Sequence, residues 1–219
     1  MSTSLPDHTL EAFLTDLVAG RRRECFAHVD GLLNAGVSLR TLYVELFGAA
    51  LYEVGRRWEH GEVTVAIEHV ATAITEELLA HVFPRATRLS RLGRRAVVSC
   101  AADEFHQLGG RIVADTLEAA GWDVDFVPAG APLEELLATL EQARPELIAL
   151  SVSLRDHVPS LEQSVRAARR AQPRALITVG GQGLAADGAA LVASWGVPGV
   201  ELVPSLEDLE RRLAPGVAP

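Results

Sequence analysis

From residue 95 onward, short apolar runs alternate with stretches of helical periodicity. The runs are Ala96-Val97-Val98-Ser99-Cys100-Ala101, Val124-Asp125-Phe126-Val127, Leu147-Ile148-Ala149-Leu150-Ser151-Val152, Ala175-Leu176-Ile177-Thr178-Val179 and Val200-Glu201-Leu202. A near-continuous apolar run is how a strand buried on both faces reads, as in a parallel sheet. Helical segments are expected between them, over 108–120, from Pro132 through Leu140, over 159–171 and around 184–194, with Ser205 and Asp208 forming a capping box for a last helix. Five strands alternating with helices predict an α/β fold, a doubly wound Rossmann-like (flavodoxin-like) domain with a five-stranded parallel sheet over 95–219.

The first 84 residues carry only helical signals. Leu10, Phe13, Leu14, Leu17 and Val18 form a stripe in a helix expected over Thr9–Val29. Ser38 is an N-cap for a second helix toward Trp58, Gly61 interrupts, and a third runs from about Thr64 to Val82 before Pro84. The expected organisation is a helical bundle over 1–84, a linker over 85–94 and the α/β domain over 95–219. Arg85, Arg88, Arg91, Arg94 and Arg95 make the linker basic. A solvated connector is favoured there over an anion-binding patch.

Composition removes several chemistries. All 20 basic residues are arginine. Without lysine there is no Schiff base and no P-loop. The net charge of −9 disfavours autonomous nucleic-acid binding. Cys25 and Cys100 make no disulfide framework, no signal peptide is visible, and no apolar run is long enough to span a membrane, so a cytoplasmic location is expected.

In an open α/β sheet, ligands sit at the carboxyl ends of the strands, where strand order switches. The loop after the first strand reads Ala102-Asp103-Glu104-Phe105-His106-Gln107-Leu108-Gly109-Gly110. It lacks the dinucleotide Gly-x-Gly-x-x-Gly pattern. It offers instead a histidine preceded by carboxylates. A metal-ligating imidazole usually donates its second N–H to a carboxylate or carbonyl, and Asp103 or Glu104 is placed to accept it. Gly109 and Gly110 permit close approach of a bulky ligand.

Glu104-x-His106-x-x-Gly109 resembles the Asp/Glu-x-His-x-x-Gly signature of methionine-synthase-type cobalamin-binding domains. The resemblance implies that His106 coordinates cobalt from below, in place of the cofactor's own base, and that the nucleotide tail enters the α/β domain. Ser151-Val152-Ser153-Leu154 resembles the family's Ser-x-Leu segment, although neither serine stands two residues before Leu154. Gly180-Gly181 resembles its glycine pair after the fourth strand. Small residues at both places are expected to leave room for the tail. An N-terminal helical cap over the corrin also fits the family's layout.

Within the helical segment, Trp58 is followed by nine residues and then Glu68-His69. This spacing resembles the signature of adenosylcobalamin-dependent photoreceptors, which implies that Trp58, Glu68 and His69 line an adenosyl pocket. A tryptophan face suits a nucleoside, and a carboxylate suits ribose hydroxyls. Where several photoreceptors have a histidine directly after the tryptophan, this chain has Glu59, with His60 one later. His60 or His69 is then the candidate upper ligand after light. The resemblance implies a light sensor rather than an enzyme. Its cofactor is adenosylcobalamin. As in the related photocobilins, noncovalent biliverdin is a second chromophore to test. A homo-oligomer and a downstream protein partner are expected, without direct DNA binding or a membrane. The alternative is a corrinoid methyl carrier serving a separate methyltransferase.

Overall fold

The computed structural model describes residues 4–85 and 90–213. The chain divides into two compact units, Met1–Ala86 and Thr87–Pro219.

The first unit is helical throughout. Helices α1 (Thr9–Val18) and α2 (Arg22–Asn34) stand where one helix was expected. The break is a Gly20 stop signal. Gly20 adopts φ 67°, its N–H donates to Leu17 O at 3.0 Å, and Arg21 N donates to Asp16 O at 2.9 Å. That is a Schellman-type termination, which a glycine permits without strain. Next, α3 (Leu39–Thr41) starts at Ser38, whose hydroxyl accepts from Thr41 N at 3.1 Å. It continues as a π-helical segment, Leu42–Gly48, and then as α4 (Ala49–Glu59). The wider π turn keeps the adjacent pairs Leu42, Tyr43 and Leu46, Phe47 all buried. Gly61, at φ 71°, ends α4, with Glu62 N donating to Arg57 O at 2.8 Å. Helix α5 (Val65–Val82) is capped by Thr64, which accepts from Ile67 N. Phe13, Leu17, Cys25, Val29, Leu46, Phe47 and Leu78 are wholly buried and make up much of this unit's core.

The second unit is the doubly wound sheet. Its elements are β1 (Arg95–Cys100), α6 (Leu108–Ala119), β2 (Asp123–Phe126), α7 (Leu133–Ala143), β3 (Leu147–Ser151), α8 (Val158–Ala171), β4 (Leu176–Gly180), α9 (Gly188–Ser194), β5 (Val200–Leu202) and α10 (Leu206–Leu213). All strands are parallel, in the order β2-β1-β3-β4-β5. This is the flavodoxin-like order, with the switch point between β1 and β3. One face of the sheet buries Val97, Ile148, Leu150, Ile177 and Val179 with Leu136, Leu140, Leu161 and Val165. The other buries Ala96, Val98 and Ala149 with Ala114, Leu117 and Trp122. Ser205 accepts from Asp208 N at 3.1 Å and so caps α10.

Three arginines of the basic connector are engaged by carboxylates. Arg85 pairs with Asp30, Arg91 with Asp123 and Arg94 with Glu146. Arg94 also lies over the Trp122 ring at 4.2 Å. Arg88 lies outside the described residues.

Two glycine classes separate cleanly in this fold. Gly181 has φ 107°, and an added Cβ would meet Val152 O at 2.1 Å. Gly181→Ala is expected to destabilise the α/β unit by about 3 kcal/mol or more. Gly31 lies inside α2 with nothing near its Cβ position. Gly31→Ala is expected to stabilise the helical unit by about 0.5–1 kcal/mol. Urea unfolding midpoints of each variant check both signs.

Candidate functional site

The switch point fixes where to look, because the loops after β1 and β3 leave adjacent strands there in different directions. Glu104 sits between these loops and is wholly buried. One carboxylate oxygen, Oε1, accepts from Phe105 N at 3.0 Å and His106 N at 3.1 Å, and lies 2.5 Å from His106 Nδ1. The other, Oε2, accepts from Ser153 N at 2.8 Å and Leu154 N at 3.2 Å. One buried side chain thus binds both loops.

Burial alone drives the Glu104 carboxyl upward. The His106 side chain and the backbone N–H groups of His106, Ser153 and Leu154 more than offset it and hold the group well below the usual carboxylate range. Glu104 is therefore ionised and can only accept, so the proton in the contact with His106 sits on imidazole Nδ1. That assigns the tautomer and makes Nε2 the nitrogen that can bind a metal. The His106 side chain is 45% exposed, against none for Glu104. Beneath the loop, the Cys100 thiol donates to His106 O at 3.6 Å. Burial, helped by the Glu104 charge, pushes that thiol up to about 12, so it stays protonated. Cys25 is likewise buried and pushed up to about 11 by burial. Neither is a ready thioether donor.

Of the two carboxylates read as possible partners of His106, the geometry selects Glu104. Asp103 has φ 68° and its carboxylate accepts from Ser160 Oγ at 3.3 Å. Ser153 and Leu154 hold Glu104 through their backbone N–H groups. Gly109 lies against Ser151, where a Cβ would come within 3.2 Å of the serine Oγ. Gly180 and Gly181 are places of close backbone approach. They do not leave open room at their Cβ positions, since Val203 O would lie 2.7 Å from one and Val152 O 2.1 Å from the other. These glycines let the loops after β3, β4 and β5 pack backbone on backbone. Two contacts were missed entirely by sequence reasoning. Gly130 N donates to Glu104 O at 2.8 Å, and His157 approaches Glu104 Oε2. Both come from distant loops and leave no local pattern.

In the helical unit, Trp58 stands in the last turn of α4 and is 44% exposed. Glu68 lies in the first turn of α5 and His69 directly follows it. Glu68 accepts from Thr72 Oγ1 at 2.9 Å, and His69 Nε2 lies 3.5 Å from its other oxygen. His60 caps α4, its Nδ1 donating to Arg56 O at 2.7 Å.

The site fits a metal carried in a macrocycle better than a bare ion. Among the described residues no group of three or more His, Cys, Asp or Glu is arranged to hold a metal. One oriented imidazole is what an ion with its other positions already filled requires. His106 Nε2 would hold cobalt, and Glu104 would fix the imidazole and raise its basicity.

Glu104→Gln tests this electrostatic arrangement. An amide turns one N–H-facing oxygen into a donor, so a loss of about 2–3 kcal/mol is expected for the α/β unit at neutral pH. A depressed carboxyl contributes stability above its ordinary value of 4.5 and loses it as pH falls toward the folded value. The gap between wild type and E104Q should therefore narrow on acidification below about pH 5. Denaturant titrations at pH 7 and pH 4 measure it.

Comparisons with known proteins agree with this geometry. A B12 binding domain model matches residues 94–201, and a second B12 binding domain model matches residues 9–82. The HTH-type transcriptional repressor CarH of Myxococcus xanthus is 31% identical over 154 residues, 70% of this chain and 50% of that protein. The chain thus spans half the length of that relative. Trimethylamine corrinoid protein 1 of Methanosarcina mazei is 26% identical over 155 residues, covering 66% of this chain and 70% of that protein. The structure of the Methanosarcina barkeri monomethylamine corrinoid protein superposes with a TM-score of 0.78 at 13% identity, over 94% of this chain and 97% of that one, which shows a shared fold. With both units matched and His106 presented at the switch point, the chain belongs to the B12-binding domain proteins and is a cobalamin-binding protein.

Proposed function

We propose that this protein is a cobalamin-dependent light sensor that takes adenosylcobalamin. The observation that carries the reading is Trp58. It is the tryptophan of the Trp, nine residues, Glu-His pattern that resembles the photoreceptor signature, and its indole is 44% exposed rather than packed into the core. A large flat face left accessible suits a nucleoside. Glu68, engaged by Thr72, keeps a carboxylate near His69 for hydroxyl groups. A relative that is a transcriptional repressor supports a regulatory role.

Adenosylcobalamin would supply a cobalt–carbon bond that light cleaves. The chain's own residues do the rest. His106, with Glu104 behind it, holds the lower face of the cofactor. Trp58, Glu68 and His69 would hold the adenosyl group, and their contacts with it would exist in only one of the two states. A switch requires contacts that differ between two states, and these residues provide them. His60, whose Nδ1 donates to Arg56 O and so leaves Nε2 for a metal, and His69 are both candidates for an upper ligand after light. A change of assembly or a protein partner would carry the output. Biliverdin as a second chromophore has no dedicated cysteine here and would be held by packing.

The second reading, a corrinoid methyl carrier, is favoured by the likeness to trimethylamine corrinoid protein 1. It uses the same His106 site but assigns nothing to Trp58, Glu68 and His69.

Loading the chain with adenosylcobalamin in darkness and then illuminating it separates the two. The sensor reading expects a changed absorption spectrum and a changed elution volume. An unchanged spectrum and volume overturn it. Trp58→Ala is expected to weaken adenosylcobalamin binding by about tenfold or more while leaving hydroxocobalamin binding within about twofold. His106→Ala should remove coordination by a protein imidazole for both corrinoids and leave the lower position to the cofactor's own base or water. Equilibrium titrations followed by absorbance give these values.

A further inference from the structure

Phe105 stands between Glu104 and His106 and is, at 77%, the most exposed large apolar side chain among the described residues. A lone exposed apolar residue is ordinary on a protein surface. Phe105 differs in being held from two sides. Its N–H donates to Glu104 Oε1 at 3.0 Å, so the carboxylate that orients His106 also fixes the backbone that carries this ring. The ring then lies against the loop after β2. Gly130 N donates to Glu104 O at 2.8 Å, which draws that loop in. Gly130 has φ 76°, and an added Cβ would come within 3.1 Å of Phe105 Cε1. The bare backbone at 130 is what lets the ring rest there.

The outcome is a flat apolar surface, immobilised and still wet, one residue from the imidazole. Little of it is removed from water by the α/β unit itself, so it contributes little to folding. A surface that is already fixed loses little freedom when a ligand covers it. The corrin macrocycle is a broad ring system with much apolar surface, and its lower face is the one that His106 would meet.

We propose that Phe105 is an affinity-determining contact for the corrin macrocycle, packing against its lower face beside the His106 imidazole. It acts by covering apolar surface and leaves the bond between cobalt and imidazole unaltered. The inference rests on the reading of His106 as the lower cobalt ligand.

The test uses the full chain and its Phe105→Ala and Phe105→Leu variants, titrated in darkness with hydroxocobalamin and with cobinamide, a corrinoid without a nucleotide tail. Phe105→Ala is expected to weaken both by about tenfold or more, and Phe105→Leu, which keeps much of the apolar area, by about threefold. Apoprotein melting temperatures should stay near wild type, as for other exposed positions. If Phe105→Ala fails to fold, Phe105→Leu carries the same expectation in smaller measure. Bound cob(II)inamide, prepared without oxygen, should keep its nitrogen superhyperfine splitting in the electron paramagnetic resonance spectrum of Phe105→Ala, because the backbone N–H that meets Glu104 remains. Affinities within about twofold of wild type for both corrinoids overturn the proposal, since the lost area is then not covered by ligand. A loss confined to hydroxocobalamin also overturns it and places the ring against the tail. So does a changed elution volume of the Phe105→Ala apoprotein, which would assign the ring to a second copy of the chain. Cobinamide brings no base of its own, so a nitrogen splitting must come from the protein. Its absence from the wild type, or its survival in His106→Ala, overturns the ligand reading itself. Failure of the Phe105 proposal alone leaves that His106-dependent splitting in place.

Discussion

A carboxylate charge with no access to water must be satisfied inside the protein, and much of this site follows from how Glu104 meets that demand. An unpaired ionised group in such a place would be strongly unfavourable. Here four bonds from three backbone N–H groups of the two flanking loops and one imidazole, together with Phe105 N, converge on it. The donors come from the loops after β1 and β3, which are the two loops that part at the switch point. The same bonds that stabilise the charge therefore fix the geometry of the place where an open sheet of this order offers a cleft. His106 inherits its tautomer and its direction from that arrangement.

Periodicity made the architecture legible. Short apolar runs at 96–101, 147–152 and 175–179 fall on β1, β3 and β4 within a residue at most ends. Gly61 was read correctly as a stop, whereas Gly20 was not, although both end their helices with left-handed glycines. The difference is that apolar spacing resumes at once after Gly20, so the stripe masks the break. The π segment at Leu42–Gly48 was invisible because it changes the pitch without changing the residue types.

At the site, the motif located the loop but could not choose between Asp103 and Glu104. That choice depends on backbone conformation. A left-handed φ at Asp103 turns it toward Ser160, and the next carboxylate takes the buried place. Ser153 and Leu154 stood out by family resemblance for their side chains, yet they act through N–H groups that any residue but proline would supply. The glycine pair was read from family resemblance, and the close approach of three loop backbones there is visible only in the fold. His157 carried no local signal, because its partner is more than fifty positions away in the chain.

This division between backbone and side-chain donors also limits how such a site can be varied. Backbone N–H groups are insensitive to substitution so long as the loops keep their course. The orientation of Glu104 is therefore robust to changes at 105, 153 and 154. The adjustable groups are the carboxylate, the His106 imidazole and the one side chain at the far oxygen. The first two cannot change without losing the ligand. The lower site by itself, then, is a poor discriminator between a sensor and a methyl carrier, since both need the same oriented imidazole. The distinction must come from groups outside it, and in this chain the exposed indole of Trp58 and the Glu68-His69 pair at the start of α5 are the groups that a methyl carrier gives no reason to keep.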